Sequence, residues 1–362
     1  MNEKRELGRI VEQKNGADSG EFRRGASAAQ PYTPDFLERI YGEEILWVMS
    51  VNSPWYHPLR DKGCAVKTPC RFASETGKIL RAVFIRGNLP LQSFFFNPSV
   101  RRNNSKLIIL VVGYLTTKHY LNWVRSCHPD ARLVLLYEDP IQGYVIRPDQ
   151  IPDCGYEVWT FDPADAEKFG IRFVKGLYIA ESKKKRKTPV YDVCFFGKDK
   201  GRAEAVLRLG DQLRELGLKP MFQIMPDTKF QMHRKPFYQP YVPFSRIRET
   251  MLNSRAQLDY LQQGQSGISL RTLECMHYGV KLVTNNPEIE RYDIYHPDSV
   301  FLLGERPLEE LPAFLKTPFA PPAPAVWEQY TIEYWITSLR NQEQQPCDRE
   351  EGEPLGKSAD HL

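Results

Sequence analysis

The sequence predicts an α/β protein made of two Rossmann-like halves. Runs such as KLIILVVGY (106–114) and RLVLLYEDP (132–140) are short, β-branched and apolar throughout, as strands buried on both faces are. Segments with apolar residues at helical spacing separate them, so strand and helix alternate. The 362 residues, less their polar ends, match two domains of about 150.

Residues 1–32 carry no apolar stripe long enough to pack and read as a flexible extension. A first domain then spans 33–182. LRAVFIRG (80–87) is expected to be a strand, as are 106–114 and 132–140, and TTKHYLNWVRSC (116–127) is a helix presenting Leu121 and Val124. GYEVWTFDPADAEKFGI (155–171) adds a strand and a short helix, with Asp162 or Asp165 as its cap. The segment 183–189 lies in ESKKKRKTP, which reads as an exposed basic linker. A nucleic-acid or nuclear-localisation patch and an anionic membrane surface are its alternatives.

The second domain covers 190–316. VYDVCFFGKDKGR is a strand entering a loop, and the helix 203–217 has its stripe on Val206, Leu209, Leu213 and Leu216, stopping at Gly217. Strands over 219–225, 255–261 and 280–286 alternate with helices over 244–254 and 269–279. Residues 317–340 form a proline-rich linker and one helix bearing Trp327, Tyr330, Tyr334 and Trp335, an aromatic surface that must pack on something. A polar tail, 341–362, ends the chain.

Lys plus Arg at 49 against Asp plus Glu at 45 gives a net charge of +4, which does not call for a nucleic-acid partner. The seven cysteines include no CxxC pair, and no His cluster has zinc-ligand spacing, so a reduced, metal-free, cytoplasmic protein is expected. The first residues contain no apolar signal region, and the longest apolar run, Leu107 to Val112, is too short to span a bilayer.

The segment LDYLQQGQSGISLRTLECMHYGVKLVTNN (258–286) carries the clearest chemistry. A Gly- and Gln-rich loop leads into a helix whose first turn holds Ser269, Arg271 and Thr272, and such a helix start suits a phosphate. Glu274, one turn in, is placed to accept hydrogen bonds from hydroxyls. A solvated Glu274 and a merely capping Ser269 are the plainer alternative.

These residues resemble the donor-binding signature of GT-B glycosyltransferases. The closer similarity is to bacterial capsular and lipopolysaccharide biosynthesis proteins with Gln265 to Glu274, Lys281 to Asn286 and Tyr292 to Tyr295 in that order. The resemblance extends over roughly 80–340. It implies two Rossmann-like domains facing a cleft (GT-B-like), the acceptor on the first, the nucleotide-sugar donor on the second, and a C-terminal helix crossing back to the first domain. By the same resemblance Glu274 holds the ribose, while Gly197, Lys200 and Arg202 face the diphosphate. Gln265, Ser266, Gly267, Ser269, Arg271 and Thr272 approach the phosphates or the sugar. No carboxylate stands seven or eight residues before Glu274, unlike the better-known retaining pattern.

Lys200, Arg202, Arg271 and the helix start can take the charge of a leaving diphosphate, so no metal or other cofactor is expected. A general base should come from strand-end loops of the first domain. His119 and Asp139 are the leading pair, with Glu138 beside Asp139 also in place. His119 on a helix surface and Asp139 shaping a turn before Pro140 are the competing readings. Asp162 and Asp165 are read as caps, and Tyr292, Asp293 and Tyr295 as packing or loop-holding residues.

The sequence thus points to a glycosyltransferase of surface-polysaccharide assembly, acting on a glycan or lipid-linked acceptor, with possible peripheral contact to an anionic membrane. The alternatives are another GT-B enzyme, such as a sugar epimerase or polymer phosphotransferase, and a non-catalytic nucleotide-sugar binder. A dinucleotide oxidoreductase is disfavoured, since no strand is followed by GxGxxG.

Overall fold

A computed structural model describes residues 45–342 other than 72, 73, 88, 114, 115, 145, 180–185 and 187. The expected extension 1–32, most of the basic run and the tail from 343 lie outside the described residues.

Two wholly parallel sheets organise the chain. The first has β1 (Ile45–Val48), β2 (Ala65–Lys67), β3 (Leu107–Val111), β4 (Arg132–Tyr137), β5 (Tyr156–Thr160) and β6 (Arg172–Phe173) in the order β2-β1-β3-β4-β5-β6. The second has β7 (Tyr191–Lys198), β8 (Pro220–Met225), β9 (Ser254–Asp259), β10 (Lys281–Thr284) and β11 (Val300–Leu302) in the order β11-β10-β9-β7-β8. Counted within its own sheet, each begins 2-1-3-4-5, the doubly wound order that reverses between its first and third strands. The switch points therefore lie between β1 and β3 and between β7 and β9. β1, β3 and β10 are buried at every residue, as strands covered by helices on both faces must be.

Two expectations are corrected. Residues 80–87 are not a strand but the second half of the helix Glu75–Arg86 with its C-cap Gly87; the N-cap Ser74 accepts a hydrogen bond from the Gly77 N–H. The Val, Phe and Ile content suggested a strand, yet Ile79, Leu80 and Val83 are exposed, and no strand pairs with the segment. The pairing position beside β3 belongs instead to Ile45–Val48. Second, the aromatic C-terminal segment is two helices, Pro324–Glu328 and Ile332–Gln342. They part because Tyr178 reaches into the chain between them: its N–H donates to Tyr330 O (2.8 Å) and its carbonyl accepts from Ile332 N–H (3.0 Å).

The last helix crosses back to the first domain. Ile332, Trp335, Ile336 and Leu339 share a core with Ile45, Trp47, Ile109, Val134, Leu136 and Trp159. Trp335 meets the Trp159 ring edge-on at 5.6 Å and lies 6.4 Å from Trp47. Burying each such side chain contributes about 1.5–3 kcal/mol.

The segments leaving the carboxyl ends of both sheets meet. Asp139, Gln142 and Asp162 follow β4 and β5, and they contact Lys200, Gln263 and Ser266, which follow β7 and β9. The cleft between the domains thus lies where doubly wound sheets hold ligands. Among the described residues no helix is long and apolar enough to cross a membrane.

Candidate active site

On the first domain's side the site is built around Glu138, the residue after β4. Ser53, just past β1, donates its hydroxyl to Glu138 Oε2 at 2.8 Å, so the bond spans the outlet of β3 at the switch point. Burial pushes the Glu138 carboxyl up to about 7; Asp139 adds to the rise and the Ser53 hydrogen bond opposes it. A carboxyl held there exchanges a proton near neutrality.

On the second domain's side, two guanidinium groups close around Gly197 at the end of β7. A Cβ added to Gly197 would stand 2.8 Å from Phe195 Cζ, 2.9 Å from an Arg202 nitrogen and 3.2 Å from an Arg271 nitrogen. Only glycine leaves room for both. Arg202 is buried and donates to the Tyr260 and Lys198 carbonyls. Arg271 donates to the Phe196 carbonyl at 2.7 Å and lies 3.4 Å from Asp259. Burial and the neighbouring Arg271 charge pull the Arg202 pKa down to about 10. Positive charge is therefore crowded at the switch point of the second sheet, a setting that favours an incoming anion.

Asp259, at the end of β9, anchors this cluster. It accepts hydrogen bonds from the Ser269 hydroxyl (2.6 Å) and the Thr272 hydroxyl (3.2 Å), fixing the start of the helix Leu270–Tyr278 against β9. Ser269 is also the N-cap, accepting from the Arg271 N–H.

Lys200 joins the two sides. Its backbone is left-handed (φ 45°), uncommon for a residue with a side chain and costing on the order of 1 kcal/mol. Its N–H donates to Asp227 at 2.9 Å and its ammonium lies 3.6 Å from Asp139. Gly201 is left-handed too (φ 79°).

The loop 265–267 is already engaged. Asp162 caps the helix Pro163–Phe169 through the N–H groups of Ala164 and Asp165, and its carboxylate also accepts from Ser266 N–H (2.7 Å), Ser266 Oγ (2.6 Å) and Gly267 N–H (2.9 Å). The amides expected to meet a phosphate thus hold a carboxylate of the other domain. Gln265 donates back to the Gly267 carbonyl at 3.4 Å.

Glu274 is 4% exposed, with its carboxylate 3.7 Å from Arg248 Nε, so it faces an interior cation from the helix Phe244–Leu252. His119 lies exposed on the helix Lys118–Cys127 and Asp139 is exposed at the cleft. The structure therefore gathers Gly197, Arg202, Ser269, Arg271 and Thr272 into one cluster, reaches Asp139 through Lys200, and sets Glu274 behind it. Ser53 and Asp259 were not among the sequence candidates. Asp259 carries a weak signal, a carboxylate ending a buried strand; Ser53 carries none, because its partner is 85 residues away. Among the described residues no cluster of three or more His, Cys, Asp or Glu is arranged to hold a metal.

No family model matches the chain, and no curated protein matches it in sequence. Among solved structures it is similar to Anabaena HepE in complex with UDP, at 14% identity and a TM-score of 0.44 over 85% of this chain and 93% of that one. It is similar to a glycosyltransferase involved in avilamycin A biosynthesis, at 13% identity and 0.43 over 65% and 84%. A third is the DNA-modifying β-glucosyltransferase, at 10% identity and 0.41 over 83% and 95%.

Proposed function

We propose that the protein transfers a sugar from a nucleotide-sugar donor to an acceptor hydroxyl in the cleft, with Glu138 as general base. The observation that carries this reading is the opposition of two features at the two switch points. One is a half-buried carboxyl whose pKa lies near 7; the other is a pair of crowded guanidinium groups. The sequence resemblance supplies the reaction class.

In this reading the acceptor oxygen attacks the anomeric carbon while Glu138 takes its proton. The bond from that carbon to the diphosphate oxygen breaks, and the electron pair leaves on the diphosphate. Arg202, Arg271 and Lys200 face the charge that develops there, so the step draws on no metal. A single displacement of this kind inverts the anomeric configuration. His119 has no part, and Asp139 holds Lys200 in place rather than accepting the proton. Ser266 and Gly267 are bound to Asp162 and Gln265 to the Gly267 carbonyl, so the three shape the loop beneath the donor, and Glu274 contacts the ribose only if it turns from Arg248. A glycan or lipid-linked acceptor, a place in surface-polysaccharide assembly and peripheral membrane contact rest on the sequence resemblance and on charge.

The test is a thermal-shift panel of UDP, GDP, CDP and CMP sugars on the wild type and on Arg271→Ala, followed by turnover of the best donor with Glu138→Gln. A stabilising nucleotide whose shift vanishes in Arg271→Ala, and turnover lost in Glu138→Gln with donor binding kept, support the reading. Turnover unaffected by Glu138→Gln removes the base; no response to any donor removes the reaction class.

A further inference from the structure

A second concentration of positive charge lies at the opposite end of the second sheet, away from the cleft. There Arg186, Arg255, Lys281 and Lys316 line a pocket of about 370 Å³ together with Pro189, Leu315 and the Thr317–Phe319 turn. Arg255 and Lys281 stand at the amino ends of β9 and β10, whereas the active-site residues follow the carboxyl ends of the same sheet. Among the described residues none that lines it is acidic.

The cations here are held mostly by neutral groups. Lys281, 4% exposed, donates to the Asp298 carbonyl (2.6 Å), the Thr317 hydroxyl (2.6 Å) and the Pro318 carbonyl (3.4 Å). Arg186 donates to the Gly279 carbonyl (2.7 Å) and the Ser254 carbonyl (2.8 Å), while its buried Nε has no hydrogen-bond acceptor among the described residues. Among the described residues Arg255 alone of the four has a carboxylate within an ion-pair distance, Asp192 at 3.1 Å. Carbonyls and hydroxyls orient a cation without neutralising it. The consequence is visible in Lys281, whose pKa burial pulls down to about 8, with the Asp298 charge opposing and the Arg306 charge assisting. Burial and the Arg255 charge lower Arg186 likewise. The volume is that of a small-molecule site rather than of a single bound ion.

We propose that this pocket is an anion site, separate from the cleft, that takes a phosphate-bearing small molecule or headgroup. The phosphate meets Lys316 and Arg186, whose donors are not all spent, while the Lys281 ammonium, its three N–H donors already used, contributes unneutralised charge behind them, and Leu315 and Phe319 give the rest of the ligand an apolar wall. The same chemistry is offered by a free phosphorylated metabolite and by a phospholipid headgroup, and the experiment separates the two.

Inorganic pyrophosphate is titrated calorimetrically into the full chain, its Lys316→Glu variant and its Arg271→Ala variant, and vesicles with and without phosphatidic acid are sedimented with the same proteins. A binding event lost in Lys316→Glu and kept in Arg271→Ala establishes the site with a free ligand. Phosphatidic-acid-dependent sedimentation lost in Lys316→Glu, without pyrophosphate binding, establishes it with a headgroup. Because Arg271→Ala addresses only the cleft, failure of the donor reading leaves this outcome intact. Sulfate, which does not titrate near neutrality, serves as a further probe. Around Lys281 stand Asp298, Arg306, Arg255, Arg186 and Lys316, and with Lys281 contributing, the Lys316-dependent event weakens roughly tenfold between pH 7 and pH 9. Binding that is indifferent to Lys316→Glu, or no binding of any of these probes, overturns the proposal.

Discussion

Gly267 donates its backbone N–H to the Asp162 carboxylate at 2.9 Å, across the boundary between the two domains. The approach is so close that a Cβ on Gly267 would fall 2.6 Å from the Phe161 carbonyl oxygen. One side chain thus caps a helix of the first domain and fastens a loop of the second. Asp162→Ala should therefore cost about 2–4 kcal/mol in urea unfolding, more than a cap alone. Gly267→Ala should also destabilise, through the clash. A loss under 1 kcal/mol in Asp162→Ala would show that the two domains are not coupled through this carboxylate.

Glu138 should govern the pH dependence of turnover. Its base form is the minor species below about 7, so kcat/KM should rise with pH through that value, and Glu138→Gln should lower it at least about a hundredfold. Stability moves the other way. The folded carboxyl is raised from 4.5 to about 7, so the native state holds the proton more tightly, and stability is lost as pH climbs through that window. The slope corresponds to on the order of 3 kcal/mol in all and should be absent in Glu138→Gln. Denaturation midpoints at pH 4.5 and 8 for both proteins provide the measurement.

Arg271 bridges Phe196, Asp259 and the open side of the cluster. Arg271→Lys keeps the charge but cannot reach both acceptors in a planar fork, so it should recover only part of what Arg271→Ala loses. The expected weakening in Arg271→Ala is about 1.5–3 kcal/mol of diphosphate affinity, or tenfold and more. Equal binding by wild type and Arg271→Ala in equilibrium dialysis would place the phosphate elsewhere.

Removing Trp335 should loosen the whole first domain. Trp335 is 3% exposed and packed between Trp47 and Trp159, so Trp335→Ala should cost about 3–5 kcal/mol by chemical denaturation.

The strands most readable from the sequence were those whose burial is continuous, such as β3 and β4, because an apolar run reports burial directly. β1 is four residues long and gives too little pattern to stand out, while the helix 75–86 carries strand-like residues on a face that never becomes a strand. The site divides in the same way. Arg271 and Ser269 were visible because they belong to one local motif. Glu138 was visible only as one of several acids after a strand; what sets it apart from Asp139 is its burial and its bond to Ser53, which tertiary structure alone creates. The capture of Ser266 and Gly267 by Asp162 was equally invisible, since nothing in either segment refers to the other.

The exchange of backbone hydrogen bonds by which Tyr178 holds Tyr330 and Ile332 gives the molecule a pivot. The chain passes between the domains twice, and both passages are pinned side by side at that point. A widening of the crevice is then expected to swing about that point, as a door moves on its jamb, and to part Lys200 from Asp139 at the rim.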